Sequence, residues 1–212
     1  MSAYAVVPVK TLLKSKMRLS GFFTPEERAL FTLAMLEDVL KALRDSKIEE
    51  TVVVGSDGNV KDLVGGFGVT FLAEKQEGLN EALNQATEWC LRKKAGLVLA
   101  LPADVPLVTP EDIDVVVRQA AGNSIVVSPS HNGGTNALLR TPPEAIEPCF
   151  GHESFKKHVA AASVRGVKTK FYASANIMLD IDSEADLQQL LRSGRETASR
   201  RFLQSSSRSS RA

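Results

Sequence analysis

The amino-acid sequence predicts an α/β domain with a mixed, mostly parallel sheet that is flanked by helices. Short apolar segments alternate along the chain with segments in which apolar residues recur at helical spacing, an order typical of parallel sheets. The apolar segments lack a polar face, as strands that are buried on both sides do. The length of 212 residues also fits one large domain better than two small ones.

Turn and capping signals place the elements in order along the chain. Thr24, Pro25 and Glu27 supply an N-cap, a first helical residue and a capping-box partner, so a long helix begins there. The predicted strands cover residues 3–9, 51–55, 69–72, 97–101, 125–128, 136–140 and 168–172. The predicted helices cover residues 24–43, 57–64, 78–94, 110–121, 154–164 and 183–192. The segment 130–150 departs from this alternation, and we expect it to add a mixed or antiparallel element over the sheet edge.

Charge is unevenly distributed along the chain. Residues 193–212 contain five arginines and one glutamate, so they carry +4 and the rest of the chain carries −3, which together give the net charge of +1. A mildly acidic body argues against nucleic acid as the main partner. We therefore expect a single domain over residues 1–192, followed by a basic Ser/Arg-rich tail over 193–212 that has little to bury and is at least partly disordered.

Composition also excludes several classes of protein. Cys90 and Cys149 are too few for a disulfide scaffold and lack the spacing of metal ligands. The N-terminal segment is too short and too uncharged for a secretory signal, and no apolar run has the length of a membrane span. We expect a cytoplasmic protein that has no membrane partner.

Asp104 lies directly after the predicted fourth strand, between Pro102 and Pro106. Because proline cannot donate a ladder hydrogen bond, the strand has to end near Pro102. Ligands of open α/β sheets bind beyond the carboxyl ends of the strands. A carboxylate at this position suits Mg²⁺, which in turn suits bound phosphates. The alternative is an ordinary turn, in which aspartate and proline are common.

The loop after the first predicted strand is rich in cations and contains no glycine before Gly21. Its four basic residues are Lys10, Lys14, Lys16 and Arg18. Charge-assisted hydrogen bonds from lysine and arginine to phosphate are strong, so this loop is a candidate phosphate-binding segment. The alternative is a solvated loop, since these side chains are mostly exposed in proteins.

Three further segments could contact a ligand. Gly78 permits a close approach of the backbone, and Asn80 offers the donor and acceptor that a nucleobase edge requires. Thr135 lies in a glycine-rich turn that could face a carboxylate or a phosphate. Gly151 and Ser154 precede a predicted helix, whose N-terminus attracts anions. The alternatives are a plain helix start, a hairpin turn and a capping serine, respectively.

Asp180 and Asp182 precede the last predicted helix. In an extended segment they project to the same side, and two close carboxylates repel unless a cation or a proton intervenes. Either residue is therefore a candidate partner of Asp104 on a metal ion. The alternative is that Asp182 only favours the start of the following helix.

These residues indicate electrostatic rather than nucleophilic catalysis. No Ser-His-Asp order, reactive cysteine or zinc spacing is apparent in the sequence. Cations, carboxylates and amide-rich turns suit phosphoryl or nucleotidyl transfer, in which the protein mainly positions and neutralises phosphates. A non-catalytic nucleotide-binding module is the alternative, since such a module could dispense with the paired carboxylates.

As an ordered set, the motifs resemble the 2-phospho-L-lactate guanylyltransferases of deazaflavin coenzyme biosynthesis. The matching segments are 8–10 with 15–19, 77–80, 102–107, 134–136, 150–155 and 180–182, whereas the basic tail lies outside the match. The resemblance implies a fold of the nucleotide-diphospho-sugar transferase type and a homodimer. It also implies transfer of GMP from GTP to 2-phospho-L-lactate with Mg²⁺, releasing pyrophosphate. Bacterial relatives favour phosphoenolpyruvate as the acceptor, and another small acceptor such as a pterin or a sugar phosphate is a further alternative.

The resemblance and the motifs together assign expected roles to residues. The expected catalytic residues are Lys10, Lys16, Arg18 and Asp104. The expected nucleotide contacts are Pro8, Lys16, Arg18, Gly78, Asn80 and Asp104. Thr135, Gly151 and Ser154 are expected to bind the acceptor, and Asp104 with Asp182 to hold Mg²⁺.

Overall fold

The computed structural model describes residues 1–209, which fold into a central mixed sheet with helices on both faces. The strands in this part of the chain are β1 Ala3–Val9, β2 Glu50–Gly55, β3 Thr70–Ala73, β4 Leu97–Ala100, β5 Ser124–Pro129, β6 Thr135–Thr141 and β7 Lys168–Phe171. The helices are α1 Pro25–Arg44, α2 Gly58–Gly66, α3 Leu79–Arg92, α4 Pro110–Gln119, α5 Ser154–Val164, α6 Ala175–Met178, α7 Glu184–Arg192 and α8 Ala198–Ser209. Two 3₁₀ turns, Leu12–Lys14 and Met17–Leu19, follow β1.

The order of strands across the sheet is β3-β2-β1-β4-β6-β5-β7. Only β6, among the described strands, runs antiparallel to its neighbours, and it lies between β4 and β5. An antiparallel element in the 130–150 segment is therefore confirmed, but its expected place at the sheet edge is wrong. Every residue of β6 is buried, so both edges of this strand require a pairing partner.

The helices begin where the local sequence supplies caps. The capping box of Thr24 and Glu27 is present at the start of α1, with Pro25 in the first turn, as predicted. Equivalent capping boxes open α4 with Thr109 and α7 with Ser183. Each box satisfies main-chain N–H groups that have no partner inside the helix.

Apolar side chains form a core on each face of the sheet. Along β1, Val7 belongs to the core under α1, α2 and α4, whereas its neighbour Val6 belongs to the core under α3 and α5. Successive residues of a strand point to opposite faces, which explains why the sequence of β1 is apolar throughout. No helix within the described residues is long and apolar enough to cross a lipid bilayer.

The C-terminal helix α8 packs against α1, so the expectation that the tail has little to bury is wrong. Phe202 and Leu203 join a third apolar cluster, in which the rings of Phe202 and Phe31 lie 5.6 Å apart. The carboxylate of Asp38 accepts hydrogen bonds from the main-chain N–H groups of Ala198 and Ser199 at 2.6 and 2.9 Å. Because Asp38 caps α8 from 160 residues away, no pattern in the local sequence predicts this helix start. The predicted disorder concerns the end of the tail, residues 205–212, but α8 covers 205–209, and residues 210–212 lie outside the described residues.

Replacing Asp38 by asparagine is expected to destabilise the protein by about 1–3 kcal/mol, the range for a buried hydrogen-bonding group that loses its partner. Each carboxylate oxygen faces a main-chain N–H group, so either orientation of the new amide places its NH₂ group against a donor. Urea denaturation would measure the free energy of unfolding.

Glu37→Gln is the matched control for Asp38→Asn, because Glu37 is the adjacent acidic residue of α1 and forms an ion pair with Lys41 near the surface. Surface pairs of this spacing contribute about 0.3–0.5 kcal/mol. Equal losses in the two variants would contradict the capping role of Asp38.

Candidate active site

The candidate site lies at the carboxyl ends of β1 and β4. These strands are parallel neighbours, so Lys10, which follows β1, and Asp104, which follows β4, lie at the same end of the sheet. The main-chain N–H of Ile181 donates to the carbonyl oxygen of Asp104 at 3.0 Å. This bond places the segment 180–182 beside the loop that carries Asp104.

Lys16 connects two of the predicted carboxylates. Its Nζ atom donates to Asp104 Oδ2 and to Asp182 Oδ1, in each case at 2.7 Å. The Lys16 side chain is only 7% exposed. Burial lowers the pKa of Lys16, but the attraction of Asp104 and Asp182 outweighs this effect and the net pKa is raised. Lys16 is therefore charged at neutral pH.

Arg18 adds a second positive charge at the edge of the cluster. Its Nη1 atom lies 3.8 Å from Asp182 Oδ2, and the side chain is 78% exposed. Burial raises the pKa of Asp182, but the Lys16 charge and hydrogen bond lower it more, and the net pKa is below the usual value. Asp182 is therefore ionised, with one oxygen facing Lys16 and the other facing Arg18.

The donor set at this cluster fits a divalent cation. Asp104 and Asp182 direct oxygens at one ammonium group, so the position between them already holds a cation. Carboxylate oxygens are the ligands that Mg²⁺ prefers, and this ion commonly completes its shell with water and substrate phosphates. No group of three or more His, Cys, Asp or Glu side chains within the described residues could by itself enclose a metal.

Asp180 has a different partner from Asp182. It accepts a hydrogen bond from Asn136 Nδ2 at 3.1 Å, and Asn136 also donates to the carbonyl oxygen of Ile177. Burial raises the pKa of Asp180. Asp104 and Asp182 therefore both bind Lys16, whereas Asp180 binds Asn136 near the start of β6.

A cleft beside the carboxylates contains several of the predicted nucleotide contacts. Two adjoining cavities of about 290 and 280 Å³ share Pro8, Val9, Lys10, Lys14 and Leu79 as lining residues. Gly78 lines one end, and the other end contains Lys16, Asp104 and Asp182. Each cavity alone is near the lower limit for ligand pockets, about 300 Å³. Their shared walls make them one connected cleft, with Lys10 and Lys14 in the shared wall, Asp104 and Asp182 at one end and Glu74 and Glu77 in the other cavity.

The basic loop is held in place by α1. Lys16 has a φ of 49°, in the left-handed region that residues with a Cβ rarely adopt. Arg28, a buried residue of α1, donates to the carbonyl oxygens of Ser15 and Phe23 at 3.3 and 3.2 Å. Thr32 Oγ1 lies 2.9 Å from Ser15 Oγ. Sequence reasoning missed Arg28, because nothing local distinguishes it from the exposed charged residues of the same helix.

Asn80 bonds the main chain of Phe150 through both ends of its amide. Its Nδ2 donates to the Phe150 carbonyl oxygen at 3.2 Å, and the Phe150 N–H donates to Asn80 Oδ1 at 2.8 Å. These contacts favour a positioning role, because Phe150 lines the cleft. The expected contact between Asn80 and a nucleobase stays a prediction.

Two of the predicted acceptor residues lie in a buried hydrogen-bond network with His158. Ser154 Oγ donates to Thr135 Oγ1 at 3.2 Å, and His158 Nδ1 lies 3.0 Å from the same oxygen. The Cys149 N–H donates to His158 Nε2 at 2.9 Å, so Nδ1 carries the ring hydrogen and donates to Thr135. The third, Gly151, has a φ of 121° and its carbonyl oxygen accepts from the Ser154 N–H. Sequence reasoning did not anticipate His158 as a link between these segments.

Comparison with known proteins identifies the family. A model of the family described as "Guanylyl transferase CofC like" matches residues 3–210. The chain belongs to this family. The match covers most of the basic tail, which corrects the expectation that the tail lies outside it. Members of the family are guanylyltransferases, that is, nucleotidyltransferases.

Curated relatives cover nearly the whole chain. A phosphoenolpyruvate guanylyltransferase of Rubrobacter xylanophilus is 41% identical, and the alignment covers 92% of this chain and 96% of the relative. A 2-phospho-L-lactate guanylyltransferase of Methanobrevibacter smithii is 31% identical, with 94% and 88% covered. The resemblance found in the sequence is therefore confirmed.

Solved structures confirm the fold. A putative nucleotide-diphospho-sugar transferase of Desulfovibrio desulfuricans superposes with a TM-score of 0.79 at 15% identity, covering 97% of this chain and 95% of that one. A nucleotidyl transferase of Methanothermobacter gives a TM-score of 0.70 at 16% identity, covering 96% and 99%. The fold of this guanylyltransferase is thus of the nucleotidyltransferase type, as predicted.

The stability of the protein is expected to fall at mildly acidic pH because of His158. Burial, and then the charge of Arg140, lower the pKa of this histidine to about 4 from the ordinary 6.5. As the pH falls, the unfolded chain binds this proton before the folded protein does. The stability that neutral His158 contributes is therefore fully present above pH 6.5 and decreases as the pH falls towards 4. We expect His158 to contribute about 2 kcal/mol to the loss between pH 7.5 and 5.

Urea denaturation of His158→Gln at both pH values would measure this contribution, since glutamine can still accept from the Cys149 N–H without titrating. His152→Gln is the control, because His152 is exposed in the neighbouring turn. The prediction is contradicted when His158→Gln loses as much stability between the two pH values as the unmodified protein does.

Proposed function

We propose that this guanylyltransferase transfers GMP from GTP to 2-phospho-L-lactate and releases pyrophosphate. A phosphate oxygen of the acceptor forms a bond to the α-phosphorus, and the bond from that phosphorus to the pyrophosphate oxygen breaks. The observation that carries the proposal is the cluster of Lys16, Asp104 and Asp182 at one end of the cleft. Family membership and relatives named for this reaction support it.

The reaction requires positioning and charge neutralisation rather than a protein nucleophile. The acceptor phosphate has a second pKa of about 6, so it is already ionised at neutral pH. Lys10 and Lys16 line the cleft and neutralise the triphosphate there, and Arg18, which lines neither cavity but faces Asp182, adds a third positive charge. Asp104 and Asp182 would hold Mg²⁺, which when bound neutralises charge on the phosphate oxygens.

Pro8 and Gly78 are proposed to contact the nucleotide. Gly78 lines the cavity that does not contain Asp104 and Asp182, whereas Pro8 lines both cavities. Gly78 has a φ of 141°, a conformation that favours glycine. A Cβ at this position would meet only the flexible side chain of Glu81, so the backbone conformation is what requires glycine here. The main chain can therefore approach a nucleoside closely there.

Thr135, Gly151 and Ser154 are proposed to bind the acceptor. Thr135 Oγ1 accepts hydrogen bonds from His158 and Ser154, so its own hydroxyl hydrogen is left to donate to an anion. Asn136, the next residue, contacts Asp180, which places this group beside the segment that carries Asp182. A carboxylate or phosphate bound here would lie near the cleft.

Phosphoenolpyruvate is the second candidate acceptor. Relatives at 41% and 36% identity are named phosphoenolpyruvate guanylyltransferases. Both acids carry a phosphate on the carbon beside the carboxylate, so the same anion-binding groups suit them. They differ at that carbon, which is tetrahedral in phospholactate and planar in phosphoenolpyruvate.

Pyrophosphate release tests the function directly. The protein would be incubated with Mg²⁺, each of GTP, ATP, CTP and UTP, and each three-carbon acceptor in turn. We expect release with GTP and one of the two acceptors, and the faster acceptor is the substrate. If no combination of nucleotide and acceptor releases pyrophosphate, the result would support a non-catalytic nucleotide-binding module instead.

A cytoplasmic location and a homodimer stay predictions. Analytical ultracentrifugation would test the homodimer.

Asp104→Asn is expected to lower the turnover of guanylyl transfer by about 100-fold or more, because metal assistance contributes several kcal/mol to such steps. The substitution keeps the shape of the side chain and removes its charge. Steady-state kinetics at saturating Mg²⁺ would measure turnover, and circular dichroism would confirm the fold.

Asp62→Asn is the control for Asp104→Asn, since Asp62 is an exposed aspartate of α2 that lines neither cavity of the cleft. Its turnover should stay within about twofold of the original value, as expected for a surface change. Near-normal turnover of a folded Asp104→Asn protein would refute the metal-binding role.

A further inference from the structure

We propose that Arg28 is a positioning residue that holds the basic loop so that Lys16 reaches the two carboxylates. Arg28 belongs to α1 and touches neither Asp104 nor Asp182. It acts through the main chain of the loop over residues 15–23. That Lys16 binds the triphosphate rests on the proposed function. That Arg28 places Lys16 beside the two carboxylates does not depend on the proposed function.

Within the described residues, the hydrogen bonds of the Arg28 side chain all go to this loop. The guanidinium donates to the carbonyl oxygens of Ser15 and Phe23, and Nη2 lies 3.5 Å from Met17 Sδ. Arg28 is 4% exposed, and no carboxylate of the described residues lies within ion-pair distance of it. A buried cation is costly unless hydrogen bonds compensate it. The loop carbonyls therefore stabilise Arg28, and Arg28 in turn fixes the loop.

Arg28 contacts Ser15, the residue directly before Lys16. Lys16 has the unfavourable φ of 49°, and such a conformation persists only when neighbouring contacts enforce it. The Ser15 carbonyl is held by Arg28, and the Ser15 hydroxyl is held by Thr32 and by the carbonyl oxygen of Leu12. These contacts fix the peptide unit from which the Lys16 side chain extends to Asp104.

A second buried arginine offers a matched control at the opposite end of the sheet. Arg140 is 1% exposed and donates to Thr87 Oγ1 and to the Ile146 carbonyl oxygen. It pairs with Val98 near the start of β4, whereas Asp104 follows the end of that strand. Loss of either arginine removes a buried cation, but only loss of Arg28 should displace Lys16.

A double-mutant cycle tests the proposal. The affinity for a non-hydrolysable GTP analogue with Mg²⁺ would be measured by calorimetry for Lys16→Met, Arg28→Met and the double variant. We expect each single variant to bind about tenfold or more weakly, as for one lost charge-assisted hydrogen bond. The double variant should bind no more than about twofold more weakly than Lys16→Met alone, because both changes remove the same contact. Arg140→Met should change the affinity less than about twofold.

Additive losses, or unchanged affinity in a folded Arg28→Met protein, would overturn the proposal. Should Arg28→Met fail to fold, Thr32→Val replaces it, since this change removes the contact to the Ser15 hydroxyl and, besides that, a hydrogen bond within α1 to the Arg28 carbonyl oxygen. A smaller loss that is again non-additive with Lys16→Met is then expected. An affinity equal to that of the original protein would overturn the proposal here too.

Limited trypsin digestion separates this proposal from the proposed function, because it requires no nucleotide. The Lys16 side chain is buried, so cleavage after it is expected to be slow in the original protein. Mass spectrometry should detect at least about tenfold faster cleavage after Lys16 in Arg28→Met, and no such change in Arg140→Met. If Arg28→Met is cleaved faster but the original protein binds no GTP, the positioning role is supported and the proposed function is refuted. Equal cleavage rates would refute the positioning role.

Discussion

The ammonium group of Lys16, shared between the carboxylates of Asp104 and Asp182, is the interaction on which the rest of the site depends. Its two hydrogen bonds are each 2.7 Å long. The three residues come from the loop after β1, the end of β4 and the segment before α7. Close carboxylates repel each other without a cation, and a buried ammonium requires counterions. Each group thus stabilises the others, and three distant segments are held at one point.

Helix α1 connects this cluster to the rest of the molecule. Arg28 and Thr32 contact the loop that carries Lys16. Asp38 and Phe31, on the same helix, contact α8. The C-terminal helix therefore supports α1, and it also packs on the end of the basic loop, where the rings of Phe202 and Phe23 lie 5.9 Å apart. This arrangement explains why a segment that is polar in composition packs as part of the domain, within the range matched by the family model.

A chain of hydrogen bonds connects the walls of the cleft on the other side. It runs from Thr135 on β6 through His158 on α5 to Cys149, and the adjacent Phe150 then bonds Asn80 on α3. Each link uses a defined donor and acceptor, and burial keeps His158 neutral, so the tautomer is fixed. The cleft is thus bordered by rigid polar contacts and by charges. Such a site suits a reaction that proceeds by positioning and neutralisation of phosphates.

Local signals in the sequence determined the order of most elements and the position of the key carboxylate. The capping box at Thr24 and the prolines around Asp104 act within a few residues, so they can be identified without the fold. Only the tertiary structure decided the place of β6 inside the sheet, the packing of α8 and the hydrogen-bond partners of Arg28 and Asn80. These features depend on contacts between residues that are far apart in the chain, such as Asn80 with Phe150. Hydrogen-bond partners brought together by folding leave no periodicity or spacing in the sequence, and for that reason composition and pattern could not reveal them.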